Sequence, residues 1–473
     1  MKLKKTNLIF ILISMMLLIT LSTVTNLSLN MTLLVAGIVI AFMIGSWMKV
    51  TKRFDFYIIF ILCCALFYFG QYIVHFITGE NITRWMSITE NFSPKRMCST
   101  SIFILQCMLA MHIAVLSFYK GSHTRGIGEN ITCNVTTHNK AHKLAATVMF
   151  IITYSPAMLI GVYKVALTAT MNYSDLLGYE VSIFGGVLDK VLRLLAGFST
   201  AAFLYVIVSF KGSKRIRFFC ILIALYCAIY YLSGSRLRVT LFIIIATLMY
   251  NDLFHKISGK QVLKLIPIGL ILLLIISGVG SVRSSFSSYH SLVDIIQAIF
   301  TVKEGNNLLY SFLNEFGMTA VVVANVMEHC PRPMSFIYGK SYLFAFLYLI
   351  PNFFRNEHSM IKAVDTDLVF HSYINKYSGV GSSFIAEAYH NFGYGALIVC
   401  FIYGTLLAYL MNRLVSGGYK KDVIRTTMVY YILSQVLFSV RSDLYSIVRE
   451  TVYAWVLISA LYLLSVKITK SRA

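Results

Sequence analysis

Residues Gly379–Gly395 read GVGSSFIAEAYHNFGYG and run without a break into ALIVCFIYGTLLAYLM at 396–411. The stretch 392–411 is about 20 residues of apolar character, enough to cross the hydrocarbon core of a bilayer as a helix. A glycine-rich polar segment entering a membrane helix sets the fold class. If the second half of that segment is helical, Glu387, His390 and Asn391 stand at i, i+3 and i+4 and share one face. Glycines at 379, 381, 393 and 395 bracket the turn, giving a flexible entry and a close backbone approach on the way out. The plain alternative is a solvated helix end with a capping serine.

Working outward, the same apolar pattern recurs along the whole chain. Of 473 residues 58% are hydrophobic and 13% charged, with a mean hydropathy of +0.74. That composition excludes a soluble globular domain and defines an all-α polytopic membrane protein. Spans are predicted near 7–26, 31–49, 56–78, 99–119, 144–169, 184–210, 217–232, 238–254, 264–281, 392–411, 426–440 and 449–466, about 12 transmembrane helices in a single membrane-embedded domain, 1–473. The basic start and first apolar run lack a small-residue cleavage site after them, so this run reads as a span rather than a signal peptide.

A net charge of +22 would suggest nucleic acid for a soluble chain. Here its location explains it. With a cytoplasmic amino terminus, Lys49, Lys52 and Arg53, then Lys120, Arg125, Lys140 and Lys143, then Lys211, Lys214, Arg215 and Arg217 fall on inner connections. Lys256, Lys260 and Lys264, the group Arg413, Lys420, Lys421 and Arg425, and Lys467, Lys470 and Arg472 continue the series, as the positive-inside rule requires. Both termini are then cytoplasmic and no nucleic-acid partner is expected. The nine cysteines lie mostly in apolar runs, where a thiol behaves as a small hydrophobe. Cys330 is the one expected in an exposed loop, which argues against a disulfide framework.

The same topology makes the longest connection, 282–391, extracytoplasmic. Leu308–Met327 suits an amphipathic helix at the interface or against the bundle. Tyr342–Ile350 is half a membrane long and ends at Pro351, the pattern of a re-entrant or interfacial piece. The segment from Arg355 to His371 is polar. A loop of this length without a domain of its own is functional or disordered.

Charges beside the bilayer are costly and mark candidate sites. Arg236 and Arg238 lie in the short turn SGSRLR, Arg283 follows the ninth span, and Arg441 and Asp443 lie in RSD between the last two. Arginine's planar fork holds two oxygens of a phosphate and does not deprotonate. We assign Arg236, Arg283 and Arg441 to diphosphate binding, and read Arg238 as a snorkelling anchor. Glu387 and Glu315 are candidate carboxylates from the long loop, and Glu387 reads equally as the structural partner of an arginine. His390 is a candidate base or hydrogen-bond donor, with His358 and His371 as further loop histidines. Glu387-x-x-His390 resembles half of a di-iron motif, but no second Glu-x-x-His completes it, so neither a metal nor a cofactor is expected. Asn391 and Asp443 are assigned to acceptor binding or support. Asp189, Lys190 and Arg193 interrupt the sixth span and Lys164 the fifth. Asp189 and Arg193, at i and i+4, read as a pair within one helix, with a polar cavity lining as the alternative.

With SGSR at 233–236, NEFG at 314–317, GSSFIAEAYHNFG at 381–393 and RSD at 441–443 in place, the chain resembles the bacterial O-antigen polysaccharide polymerases called Wzy over most of its length. The resemblance implies a GT-C-like architecture, similar to that of the O-antigen ligases. It implies a metal-independent glycosyltransferase of the bacterial inner membrane with its active site facing the periplasm. Such an enzyme transfers a growing glycan from undecaprenyl diphosphate to a lipid-linked repeat unit. Lipid-linked oligosaccharides, the bilayer and a chain-length regulator protein are the implied partners. Two other readings stand beside it: a flippase for lipid-linked oligosaccharide, disfavoured because the two halves differ and the large loop occurs once, and an O-antigen ligase.

Overall fold

Capping side chains set where several of the helices begin. The computed structural model describes residues 5–23, 27–51, 55–79, 86–120, 136–168, 182–233, 236–254, 308–350, 364, 366, 369, 370, 373, 381–416 and 422–471. Among them every regular element is helical. Helices α1 (Lys5–Thr23), α2 (Leu29–Thr51) and α3 (Phe56–Thr78) open the chain. Asp55 caps α3 by accepting from the Tyr57 amide at 3.1 Å, and Gly79 closes it with φ 68°. The short α4 (Ile88–Asn91) leads to α5 (Pro94–Phe118), which starts on the cap Ser93 with proline in its first turn, where the missing N–H costs nothing. There follow α6 (Thr136–Thr168), α7 (Gly186–Gly197), α8 (Ser199–Ser209), α9 (Ile216–Leu232) and α10 (Arg236–Leu253).

Among the described residues seven helices, α2, α3, α5, α6, α14 with α15, α16 and α17, are long and apolar enough to span a membrane, or eight if α7 and α8 form one broken span; α14–α17 are the helices over Phe384–Phe392, Ala396–Ser416, Val423–Phe438 and Leu444–Ser471. Each predicted span within the described residues is helical, and 264–281 lies outside them. The predicted total of about 12 is therefore met in part: α1 and α9 are apolar but short, and α10 carries Arg236, Arg238 and Asp252. The predicted continuous span 184–210 bends by 41° between Gly197 and Ser199. Asp189 also departs from the expected intrahelical pair with Arg193. Its carboxylate accepts from Ser182 Oγ at 2.6 Å and from the amides of Gly185, Phe184 and Ile183 at 2.7–3.2 Å, gathering the free N–H groups at the start of α7.

The second half of the chain gives α11 (Leu308–Phe316), α12 (Thr319–His329), α13 (Lys340–Leu347), α14 (Phe384–Phe392), α15 (Ala396–Ser416), α16 (Val423–Phe438) and α17 (Leu444–Ser471). The predicted single amphipathic helix over 308–327 is two helices, broken at Gly317. A Cβ on Gly317 would stand 2.2 Å from the Gln71 amide nitrogen, and one on Gly70 would stand 2.4 Å from the Leu313 carbonyl. The two glycines let α3 and α11 touch backbone to backbone. Gln71 then serves three strangers in sequence, donating to the Met86 and Asn314 carbonyls and accepting from the Ile88 amide. Beyond the break α12 is buried all round from Thr319 to Met327, so it is a core element and not an interfacial one. Cys330, at its end, is buried with it, against the expectation of exposure.

Candidate functional site

The first side chain of the site is a cap. Ser383 accepts from the Ala386 amide at 3.1 Å and starts α14, whose residues Phe384–Asn391 are all buried. The solvated helix end is excluded. At the far end Gly393 adopts φ +57° and has the Phe336 ring 2.9 Å from where a Cβ would be, which is why glycine stands between α14 and the membrane helix α15.

The predicted spacing is realised for Glu387 and Asn391. Asn391 Nδ2 donates to the Glu387 carbonyl at 2.8 Å, one helical turn back, and to Ser341 Oγ at 2.8 Å. Ser341, fully buried on α13, donates in turn to Glu387 Oε1 at 2.6 Å. The other carboxylate oxygen, Oε2, accepts from the Leu444 amide at 2.8 Å, at the first residue of α17. One carboxylate thus joins three elements: α14, α13 and the head of α17. Sequence reasoning missed Ser341 because a single serine 46 residues from its partner carries no spacing signal.

The turn before α17 is the RSD segment. Tyr403 of α15 meets Ser439 Oγ at 2.6 Å as the chain leaves α16, and Arg441 ends a single 3-10 turn, Ser439–Arg441. Arg441 is half-buried, with its Nε 3.9 Å from the Cβ position of Gly381, at the entry to α14. Asp443 is buried and accepts from Thr366 Oγ1 at 3.1 Å and from Ser382 Oγ. Its role in the geometry is that of an anchor, tying the turn to the loop residue 366 and to the stretch before α14.

His390 points elsewhere on α14. Its ring stands edge-on to Phe370 at 4.9 Å, and its Nδ1 is buried with no hydrogen-bond partner among the described residues. The backbone carbonyls of His390 and Asn391 accept from the Ile337 and Tyr338 amides at 3.1 and 3.0 Å, so the segment before α13 is pinned to the end of α14. Glu315 lies half-buried on α11, where that helix packs on α3. Arg236 opens α10. Its side chain, and Arg283, His358 and His371 entirely, lie outside the described residues. Arg238, read from the sequence as a snorkelling anchor, has its Nη2 3.5 Å from Glu450 Oε1 on α17.

The arrangement presents an arginine at a rigid turn, a buried carboxylate that holds that turn in place, and a buried imidazole with one open nitrogen. No curated protein and no solved structure matches the chain. The family model described as O-antigen polysaccharide polymerase Wzy matches residues 7–472, nearly the whole chain, and the chain belongs to that family.

Proposed function

We propose that the protein extends a surface polysaccharide by transferring the growing glycan from undecaprenyl diphosphate to a lipid-linked repeat unit at the outer face of the bacterial inner membrane. The observation that carries this reading is the match of the polymerase family along residues 7–472. In the reaction a hydroxyl of the acceptor sugar forms a bond to the anomeric carbon of the donor glycan. The bond from that carbon to the diphosphate oxygen breaks, and the hydroxyl proton passes to a base. The leaving diphosphate gains negative charge, which arginine forks stabilise. Arg441, with Arg236 and Arg283, takes that role.

The hydrogen bonds then divide the work among the polar residues. Glu387 accepts at both oxygens, which suits holding the Arg441 turn more than taking a proton. His390, with its open Nδ1, is the base that receives the acceptor proton. Glu315 is the reserve carboxylate, and Asn391 and Asp443 support the acceptor side. No metal or cofactor enters the scheme.

The test is deletion of the gene in its host followed by analysis of the surface glycan. We expect single repeats on the lipid. Normal chain length would overturn the reading, and long chains accumulating on undecaprenyl diphosphate would reassign the protein as a ligase.

A further inference from the structure

Helix α13 runs alongside the head of α17 in the same direction. Ser341, near its start, reaches the Leu444 amide through the Glu387 carboxylate. Further on, the Phe344 ring meets Tyr445 at 6.1 Å, and the Tyr348 ring stands edge-on to the same tyrosine at 5.3 Å. Tyr453 then holds the Leu349 carbonyl at 2.7 Å. The segment therefore follows α17 for about 12 Å. Its packed face carries Ser341, Phe344 and Ala345, all buried. The opposite side, Leu343, Phe346 and Leu347 with Ile350 just beyond, is wholly apolar and 46–67% exposed. An uncovered apolar face of this kind, lying against a membrane helix, suits acyl chains better than water.

Arg449 marks the depth. From Arg449 to Lys467 α17 rises about 27 Å, close to the hydrocarbon thickness of about 30 Å, so these two cations fall near the two boundaries of the core. The Arg449 guanidinium stands over the Tyr348 ring, 4.1 Å from its centre. It belongs to neither ion pair found among the described residues, Arg96–Glu328 and Arg238–Glu450. Its sequence neighbour Glu450 is turned to Arg238 and to Gln435 Nε2, 3.2 Å away. A half-buried cation at this depth is costly without a counter-charge, and an anionic headgroup supplies one at that level. Tyr348 borders both features, closing α13 and carrying Arg449. We propose that the Tyr348–Arg449 step and the exposed face of α13 form a binding site for an anionic glycerophospholipid of the leaflet that meets the head of α17. The phosphate sits on Arg449, and the acyl chains lie along Leu343, Phe346, Leu347 and Ile350. One arginine matches the single charge of a phosphodiester, whereas a diphosphate calls for more than one fork. The site is separate from the Arg441 turn and does not depend on the glycan-transfer reading. Because Ser341 lies on the packed face of α13, the bound lipid braces the helix that holds Glu387.

The probe is phosphatidylglycerol, titrated into the full-length protein in detergent and followed by native mass spectrometry, which also counts protein copies. Wild type retains one phosphatidylglycerol in preference to phosphatidylcholine, whose choline balances its phosphate. Arg449→Gln weakens that binding by about tenfold, the worth of one lost hydrogen bond to a charged group. Phosphatidylglycerol also raises the melting temperature of wild type, by mass action on the folded state, and raises that of Arg449→Gln less. Should Arg449→Gln fail to fold, Phe346→Ser, a change on an exposed position, tests the acyl face alone and weakens the same binding. Equal affinity for phosphatidylcholine, or unchanged phosphatidylglycerol binding in the folded variants, overturns the site. So does displacement by equimolar undecaprenyl diphosphate, which would give the arginine to the substrate, or a protein dimer that phosphatidylglycerol does not dissociate, which would give the apolar face to a second copy.

Discussion

Ser341 links two buried side chains of the site, since its one hydroxyl gives to Glu387 and receives from Asn391. Ser341→Ala leaves a buried carboxylate oxygen without that donor, a loss of roughly 1–3 kcal/mol. We expect a lower melting temperature in detergent together with shortened glycan chains; an unchanged melt would remove Ser341 from the network. Arg441→Ala should abolish chain extension at normal protein level, and Arg441→Lys should fail to restore it, because an ammonium cannot grip two phosphate oxygens at once. Full activity in either variant takes Arg441 out of the site. Cys330 offers a test of the packing itself. Burial pushes its thiol up to about 11, so little of it is the reactive thiolate near neutral pH and labelling should rise steeply as pH approaches that value. Maleimide labelling mapped by mass spectrometry should miss Cys330 in the folded protein and find it after denaturation. At this scale the sequence was half legible: the i and i+4 spacing foretold the Glu387–Asn391 pair, while Ser341 and Thr366, each an isolated small hydroxyl in a long connection, gave no pattern to read.

Among the elements, the membrane helices were legible because an apolar run long enough to span has few other uses. The breaks were not. Gly317 divides α11 from α12 because two backbones meet there, a fact that depends on Gly70, some 250 residues away by sequence and so invisible to any local pattern. Gly317→Ala should therefore be far more harmful than an alanine elsewhere in a helix, where the change would help. The new methyl group would sit inside van der Waals contact of the Gln71 amide, and overpacking of this kind costs about 1–3 kcal/mol or more. Thermal unfolding of the purified variant measures it, and a melting temperature equal to wild type would contradict the close crossing. The 41° bend between α7 and α8 falls at Phe198, inside a run that reads in the sequence as one continuous span.

For the whole molecule the charge distribution makes the strongest statement. Under the positive-inside rule the basic clusters predict a cytoplasmic carboxy terminus and an Arg441 turn on the opposite face. A green fluorescent protein fused after Ala473 should fluoresce and an alkaline phosphatase fused there should be inactive. The opposite pattern would turn the Glu387 site toward the cytoplasm and remove the outer-face transfer. Where it is described, the long connection predicted over 282–391 is packed against the rest of the chain. Its described pieces, α11 to α14, are built into the bundle by Gln71, by the ion pair of Arg96 with Glu328, and by Tyr453 donating to the Leu349 carbonyl at 2.7 Å.

The bonds that fasten the site share one property. Leu444 enters through its amide, as do Ile337 and Tyr338, and their side chains have no part in those contacts. A latch made from main chain is blind to mutation at the residues it grips. The hydrogen bonds at 337, 338 and 444 survive a change of side chain there, provided none becomes proline, which has no N–H to give; what constrains Ile337 instead is its burial against Phe344 and Val364, and what constrains Tyr338 is its backbone at φ 46°.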